Sequence, residues 1–536
     1  MKTSIFSGAV AAGLAFAGLA SAADTEDWKT RSIYQVMIDR FARTDGLDTE
    51  CKDLQQFCGG SWKGLLNKLD YIQGMGFDAL QISPITKNTD DNTSIGVAYH
   101  GYWPDDLYSL NDRYGTEQDL KDLIAELHKR DMYVMLDVVV NHMAQGFDNI
   151  IPPKVDYSKF KPFDDEKYFH PYCNVTMWEN TTDFQECWLY PNGIALADLA
   201  TEKKEVSDEM NKWIKELVSK YDIDGLRIDA AKHVNDEFLP SFVNASGVFA
   251  LGEVLSGEPD DMCRYQSLNL LPGMPNYLHY FQLKNAMNSG SFVQLGDIRK
   301  KGADACTDVH ALGTFMENHD MPRFASLNPD LAIAKNVMSY VILSDGIPTV
   351  YQGQEQHFNG AGDPDNRETL WTSKYDQEAP LYKLTTTLNK VRTNAIKLSH
   401  DYVTKMGETL WADNNHFCLK KGPNGSQVVF CLNNKSSLGD SYQISVGGFE
   451  AGDKVVEVLR CRTNTADVSG NITMYMGNGE PKVWVPLAVL KDTNLCPETK
   501  EDDPVEPIKK KNGGAVLQAT SVLFAAVLGS AAFLLA

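Results

Sequence analysis

Gly225-Leu226-Arg227-Ile228-Asp229 places an arginine and an aspartate two positions apart in an otherwise apolar run. Two later runs have the same form: Val248-Phe249-Ala250-Leu251-Gly252-Glu253, and Leu312-Gly313-Thr314-Phe315-Met316-Glu317-Asn318-His319-Asp320. Short apolar runs between polar segments predict buried strands. Each run ends in carboxylates, so those acids fall where a buried sheet meets solvent or substrate. A site assembled from several strand ends is the arrangement of a parallel α/β enzyme.

Working outward, residues 32–37, 77–82, 132–140, 314–316 and 349–351 also read as strands. Residues 65–74, 120–130 and 206–220 read as helices, with Leu120, Leu123, Ile124 and Leu127 on one face of the second. Strands alternating with helices predict βα units and a parallel sheet. The units are too many for a small dinucleotide-binding fold, and no glycine-rich phosphate loop opens one. The expected fold class is α/β, a (β/α)8 TIM barrel over residues 23–140 and 199–400. Residues 141–198, rich in Asp, Asn, Pro and aromatics, are too long for a bare loop and predict a small inserted domain after strand 3. Residues 401–497 hold strand-like runs separated by Gly, Asn and Ser, which predicts a C-terminal antiparallel β-sandwich.

The 536 residues carry a formal charge of -22, with 43% hydrophobic and 23% charged side chains. Such an acidic chain is a poor partner for nucleic acid, whose phosphates require local positive charge. It is compatible with a neutral substrate. Lys2, an apolar stretch from Ala9 to Ala20, and Ala20-Ser21-Ala22 predict a signal peptide over residues 1–22. Residues 498–512 read as a charged, proline-containing stalk, and residues 513–536 as a propeptide ending in an apolar tail. Small residues, a spacer and a terminal apolar tail predict a GPI anchor attached at Asn512. The expected location is the outer face of the plasma membrane, or the cell wall. Seven sequons, at Asn92, Asn174, Asn180, Asn244, Asn424, Asn434 and Asn471, permit N-glycosylation in a secreted chain.

Secretion also accounts for ten cysteines. Cys51 and Cys58 are close enough for a small loop, and Cys173 and Cys187 flank a polar segment. Cys418 and Cys431 bracket a turn and are placed to cross-link a hairpin. Spacing leaves the partners of Cys263, Cys306, Cys461 and Cys496 open.

The chemistry lies in the acids. Period two puts Arg227 and Asp229 on one side of a strand, where the guanidinium can hold the carboxylate ionised as a nucleophile. Glu253 follows an apolar run with no adjacent cation, and desolvation would raise its pKa as an acid catalyst requires. Asp320 adjoins His319, and Asp137-Val138-Val139-Val140-Asn141-His142 brings a second histidine to a strand end. Tyr99-His100-Gly101-Tyr102-Trp103 offers ring faces to a sugar. Taken singly, each has a structural explanation: an Arg–Asp pair, a strand-end cap or a core aromatic. Together, three carboxylates with histidines and an arginine fit glycoside hydrolysis. Asn141, Asp198 and His233 offer oxygen ligands that, with water, suit Ca²⁺; the alternative is hydrogen bonding that pins the insertion without a metal. No HExxH or dense histidine cluster suggests zinc.

Four segments resemble, in order, the conserved regions of the secreted fungal α-amylases of glycoside hydrolase family 13, of a GPI-anchored kind. They are Asp137–His142, Gly225-Leu226-Arg227-Ile228-Asp229-Ala230-Ala231-Lys232-His233, Gly252-Glu253-Val254-Leu255 and Phe315–Asp320. The resemblance implies retaining endo-hydrolysis of α-1,4-glucosidic bonds in starch, glycogen or related glucans, by a monomer. Asp229 is then the nucleophile, Glu253 the general acid/base and Asp320 the stabiliser of the distorted sugar. Tyr102, Trp103, His142, Arg227 and His319 would bind or orient the sugar at the cleaved bond. Lys232 and His233 would meet the next glucose toward the reducing end, and Asp363 and Arg367 the non-reducing side. Asn141, Asp198 and the carbonyls of His233 and Gln185 would bind Ca²⁺. The resemblance also pairs Cys51 with Cys58, Cys173 with Cys187, Cys263 with Cys306 and Cys461 with Cys496. Cys418 and Cys431 depart from it and predict an extra hairpin bridge. A 4-α-glucanotransferase would use the same acids, and a non-catalytic wall carbohydrate-binding protein would keep the fold. The intact set of acids, with His142 and His319, favours hydrolysis.

Overall fold

The computed structural model describes residues 23–502 apart from 149, 190–192 and 289. The signal peptide, Asn512 and the GPI propeptide lie outside the described residues, as does most of the stalk.

Seven parallel strands form the central sheet: β1 (Ile33–Val36), β2 (Ala79–Ile82), β3 (Tyr133–Val139), β4 (Gly225–Asp229), β5 (Phe249–Gly252), β6 (Gly313–Thr314) and β7 (Ile347–Tyr351). Their order, β6-β7-β1-β2-β3-β4-β5, leaves one gap, between β5 and β6. Residues 273–275 fill it by parallel bridges from Gly273 to Leu251 and from Pro275 to Gly313. The Gly252 amide donates to the Gly273 carbonyl at 3.0 Å, and that of Gly313 to Met274 at 2.9 Å. A Cβ at Gly273 would lie 2.2 Å from the Ala311 carbonyl, so only glycine allows the close approach. Pro272 and Pro275 lack the N–H groups of a longer ladder. The barrel is therefore a (β/α)8 ring whose eighth member is a bridge of three residues rather than an apolar run.

Helices wrap the ring for the reason their sequences suggest. Thr116 and Asp119 form a capping box that starts Glu117–Lys129, whose Leu120, Leu123, Ile124 and Leu127 are buried. Lys204–Tyr221 buries Val206, Met210, Trp213, Ile214 and Leu217 at helical spacing. The helix expected over 65–74 is two shorter ones, Trp62–Leu66 and Leu69–Gly74. The strand expected over 314–316 is confined to Gly313–Thr314.

An antiparallel pair, His142–Gly146 with Ile194–Asp198, forms the neck of the inserted segment. This pairing brings Asn141 and Asp198 together at the barrel mouth. At the C-terminus a seven-stranded sheet faces the two-stranded ribbon Tyr442–Val446 and Ile472–Met476. Val429, Ile444, Val455, Met474 and Trp484 fill the space between them. Lys500–Glu501 pairs with Arg462 and Thr463, so this sheet extends into residues read as stalk. Five disulfides link Cys51–Cys58, Cys173–Cys187, Cys263–Cys306, Cys418–Cys431 and Cys461–Cys496. Cys418 and Cys431 are direct cross-strand partners. Asp345 pins this domain to the barrel, accepting from Arg299 and from Lys421 at 2.5 Å each.

Candidate active site

The ends of β3, β4 and β5 converge on one guanidinium. The register pairs Asp137 with Arg227, and Arg227 with Leu251 two residues before Glu253. Arg227 Nη1 donates to Asp229 Oδ1 at 2.6 Å and to the two Asp137 oxygens at 3.1 and 3.2 Å. Its Nη2 lies 2.8 Å from Glu253 Oε2. The expectation that Glu253 has no cation beside it is therefore wrong; the cation comes from the neighbouring strand. Immediately after Asp229, Ala230 adopts a left-handed φ of 47°. That turn aims its N–H at Glu253 Oε2, 3.1 Å away.

These bonds distinguish the oxygens. Glu253 Oε2 is held by Arg227 and Ala230, while among the described residues Oε1 has only the Tyr277 hydroxyl, at 3.5 Å. Asp229 Oδ1 is held by Arg227, and Oδ2 has no hydrogen-bond partner among the described residues. Burial pushes Asp229 well above the usual carboxylate range; Arg227 opposes the rise, and the charges of Glu253 and Asp137 add to it. Burial likewise lifts Asp137 to about 6 against Arg227 and the Tyr102 hydroxyl. Three carboxylates around one guanidinium resist full ionisation, so the set keeps a proton at mildly acidic pH.

Across the cavity, burial is the main cause that raises Asp320, with Arg367 opposing. Asp320 lies 3.2 Å from His319 Nε2 and 3.4 Å from Arg367 Nη2. Gln35 Nε2 donates to His319 Nδ1 at 3.1 Å, which leaves Nε2–H to donate to Asp320. Burial, with Arg367 and Arg227, holds His319 well below its ordinary value, hence neutral. Its ring stacks on Tyr102 at 5.0 Å. Burial lowers His142 and His233 to about 4 each. His142 Nε2 is committed to the Tyr102 carbonyl at 3.0 Å, so that edge is not free for a sugar.

One cavity is lined by Tyr102, His142, Asp229, Lys232, His233, Glu253, His319 and Asp320, with Leu189, Leu196 and Leu255 as its apolar wall. The structure thus gathers the three acids and most of the expected sugar contacts. Trp103 is buried against Ala98, Val139, Ala144 and Leu189 and does not line the cavity. Asp363 does not line the cavity either; it is bound to Arg367 at 3.1 Å and to the Tyr99 hydroxyl at 3.2 Å. Asp137, Gln35, Tyr277 and Asn318 belong to the bonded network and are absent from the expected set. Register alone reveals Asp137; Gln35 lies on β1, Tyr277 opens the helix Tyr277–Asn288 and Asn318 lies in a loop.

Of the expected calcium ligands, Asn141 Oδ1 is buried with no hydrogen-bond partner. Asp198 is buried, and its Oδ2 accepts from His170 at 2.7 Å. Gln185 lies on Thr181–Glu186, which packs on the turn Ala231–His233. The orphaned amide oxygen, one carboxylate and nearby main-chain carbonyls fit a hard, oxygen-seeking cation. Among the sequons, Asn92, Asn174, Asn180, Asn244 and Asn424 are exposed, whereas Asn434 and Asn471 are half-buried.

The α-amylase catalytic-domain family matches residues 35–396, and the α-amylase domain C family matches residues 409–504. The chain belongs to the α-amylase family. It is a glycoside hydrolase with that family's barrel and C-terminal domain. It is 41% identical over 473 residues to alpha-amylase 2 of Schwanniomyces occidentalis, covering 88% of this chain and 92% of the relative. Alpha-amylase 3 of Schizosaccharomyces pombe is 40% identical over 490 residues, covering 89% and 85%. The solved α-amylase of Malbranchea cinnamomea superposes with a TM-score of 0.85 at 43% identity, covering 88% of this chain and all of that one.

Proposed function

We infer that this chain hydrolyses α-1,4-glucosidic bonds of starch-like glucans with retention of configuration. The observation that carries this reading is Arg227 bridging Asp229 and Glu253 at the wall of one cavity, with Asp320 opposite. Two carboxyl groups held by one guanidinium are close together, as a double displacement requires. Glu253 protonates the glycosidic oxygen as Asp229 attacks the anomeric carbon, and the C–O bond to the leaving segment breaks. Glu253, now ionised, takes a proton from water; the water oxygen bonds to that carbon and Asp229 is released. Arg227 favours the anionic form of Asp229 before the attack and again when the carboxylate is released. Asp320, fixed by His319 and Arg367, is placed to accept hydrogen bonds from the sugar hydroxyls. Tyr102 offers a ring already stacked on His319.

Ca²⁺ is part of this reading, held by Asn141, Gln185, Asp198 and His233 through amide, carboxylate and main-chain oxygens. Bound there, the ion supplies an electrostatic pin between the inserted segment and the barrel. Added Ca²⁺ should raise the melting temperature and a chelator should lower it. Secretion and GPI anchoring of a monomer complete the proposal. They are supported by the terminal sequence signals and by five disulfides with no free cysteine among the described residues.

The test is incubation with maltoheptaose followed by product sizing over time. Only shorter products are expected. Longer products in appreciable yield would replace water by sugar as the acceptor and make the chain a transferase.

A further inference from the structure

Lys232 has an ion-pair partner outside the catalytic set. Its Nζ donates to Asp261 Oδ2 at 2.9 Å, and it lines the same cavity as Asp229 and Glu253. Its backbone amide donates to the Glu253 carbonyl at 3.0 Å, so the residue is fixed at its base to the acid's own chain. Beyond that base lie four rotatable side-chain bonds, and an unpartnered ammonium would sample many positions. Asp261 removes that freedom. It sits on helix Pro259–Ser267, which is itself anchored twice. Arg264 grips both oxygens of Asp236 at 2.8 and 3.0 Å, and Cys263 is joined to Cys306. The carboxylate that holds Lys232 is therefore presented by a rigid element.

The pair is poorly explained as a stabilising device. The Asp261 side chain is 39% exposed, and ion pairs with one solvated partner add little to stability. The benefit falls on the cavity side, where the ammonium keeps two further N–H donors.

We propose that Asp261 is a positioning residue of the cleft, holding the Lys232 ammonium where it binds the glucan hydroxyls on the reducing side of the cleaved bond. The proposal rests on the α-glucan hydrolase reading above. Binding energy on that side decides how many glucose units lie beyond the scissile bond, and hence where a short oligosaccharide is cut.

The test uses the full chain and reducing-end-labelled maltoheptaose. In Asp261→Asn the ammonium loses its fixed anchor. KM should rise about three- to tenfold while kcat changes by less than about twofold. The cleavage pattern should shift toward shorter labelled products, since fewer units are held on the reducing side. Asp261→Glu, which keeps the charge, should restore most of the wild-type pattern. An Asp261→Asn enzyme with wild-type KM and pattern would overturn the proposal, as would a variant that only melts earlier with its pattern unchanged. A wild-type protein that leaves maltoheptaose intact would overturn the hydrolase reading and this proposal with it. Cleavage by the wild type with an unaltered variant would remove this one alone.

Discussion

Two buried charge clusters in this molecule use the same residue types in opposite proportions. At the barrel mouth one arginine faces Asp137, Asp229 and Glu253. At the barrel–sandwich junction one aspartate, Asp345, faces Arg299 and Lys421. Burial pushes Asp345 upward, but Lys421 and Arg299 more than offset it and leave the carboxyl far below its usual range. The first cluster is short of cations and keeps a proton that can be moved. The second has cations in excess and keeps its carboxylate charged at any ordinary pH. Stoichiometry, rather than burial, separates the chemical site from the structural one.

Removing the acid from each cluster tests that contrast. Glu253→Gln should lower kcat about 1,000-fold, within the range for loss of a general acid, and leave the melting temperature within a few degrees of wild type. Asp345→Asn should do the reverse. It strands Lys421 and Arg299 in the interior and should cost about 3–5 kcal/mol in denaturant melts, with kcat of the folded enzyme retained. A variant that loses activity and stability together at either position would erase the distinction.

The contrast sharpens with pH. Asp345 has a lowered pKa in the fold, so its contribution is fully present above the unfolded value near 4 and is lost only as pH falls through the folded one. Asp137 is raised to about 6, so the fold holds a proton that the unfolded chain has released above about pH 4. Its effect is a loss of stability as pH rises from about 4 through 6, of the order of 2–3 kcal/mol, fully present above that window. Unfolding free energies of wild type and Asp137→Asn should therefore converge or cross across this range. Parallel curves would show that Asp137 does not titrate there.

The smallest effect concerns the same junction. Asn434 Nδ2, the atom a glycan would occupy, donates to the carbonyls of Ala286, Gly290 and Asn414 at 3.0, 3.3 and 3.0 Å. Glycopeptide mapping of the protein expressed through a eukaryotic secretory pathway should find Asn434 bare and the exposed Asn174 and Asn244 occupied. A glycan at Asn434 would show that the folded junction tolerates losing those bonds.

The sequence was most legible where chemistry and strand period coincide. Arg227 and Asp229 share a strand face because side chains alternate, and the pair is visible in five residues. Asp137 stands in the Asp137–His142 motif, but its contact depends on the register between β3 and β4, which no local pattern carries. The environment of Glu253 was misread for the same reason: its cation lies 26 residues earlier in the chain, on an adjacent strand. Residues 273–275 have no apolar run and betray their place in the barrel only through bridges on both sides. Trp103 matched a sugar-binding aromatic in composition, and core packing took it instead. The Asp345–Lys421 contact joins two domains and has no local signature at all.

Retention of configuration requires Asp229 and Glu253 to act as nucleophile and acid on an α-1,4-glucan. Proton NMR of the first anomer released from maltoheptaose, recorded before mutarotation, tests this most directly. The α-anomer is the predicted product. Release of the β-anomer, or no cleavage, would contradict the double displacement built around Arg227.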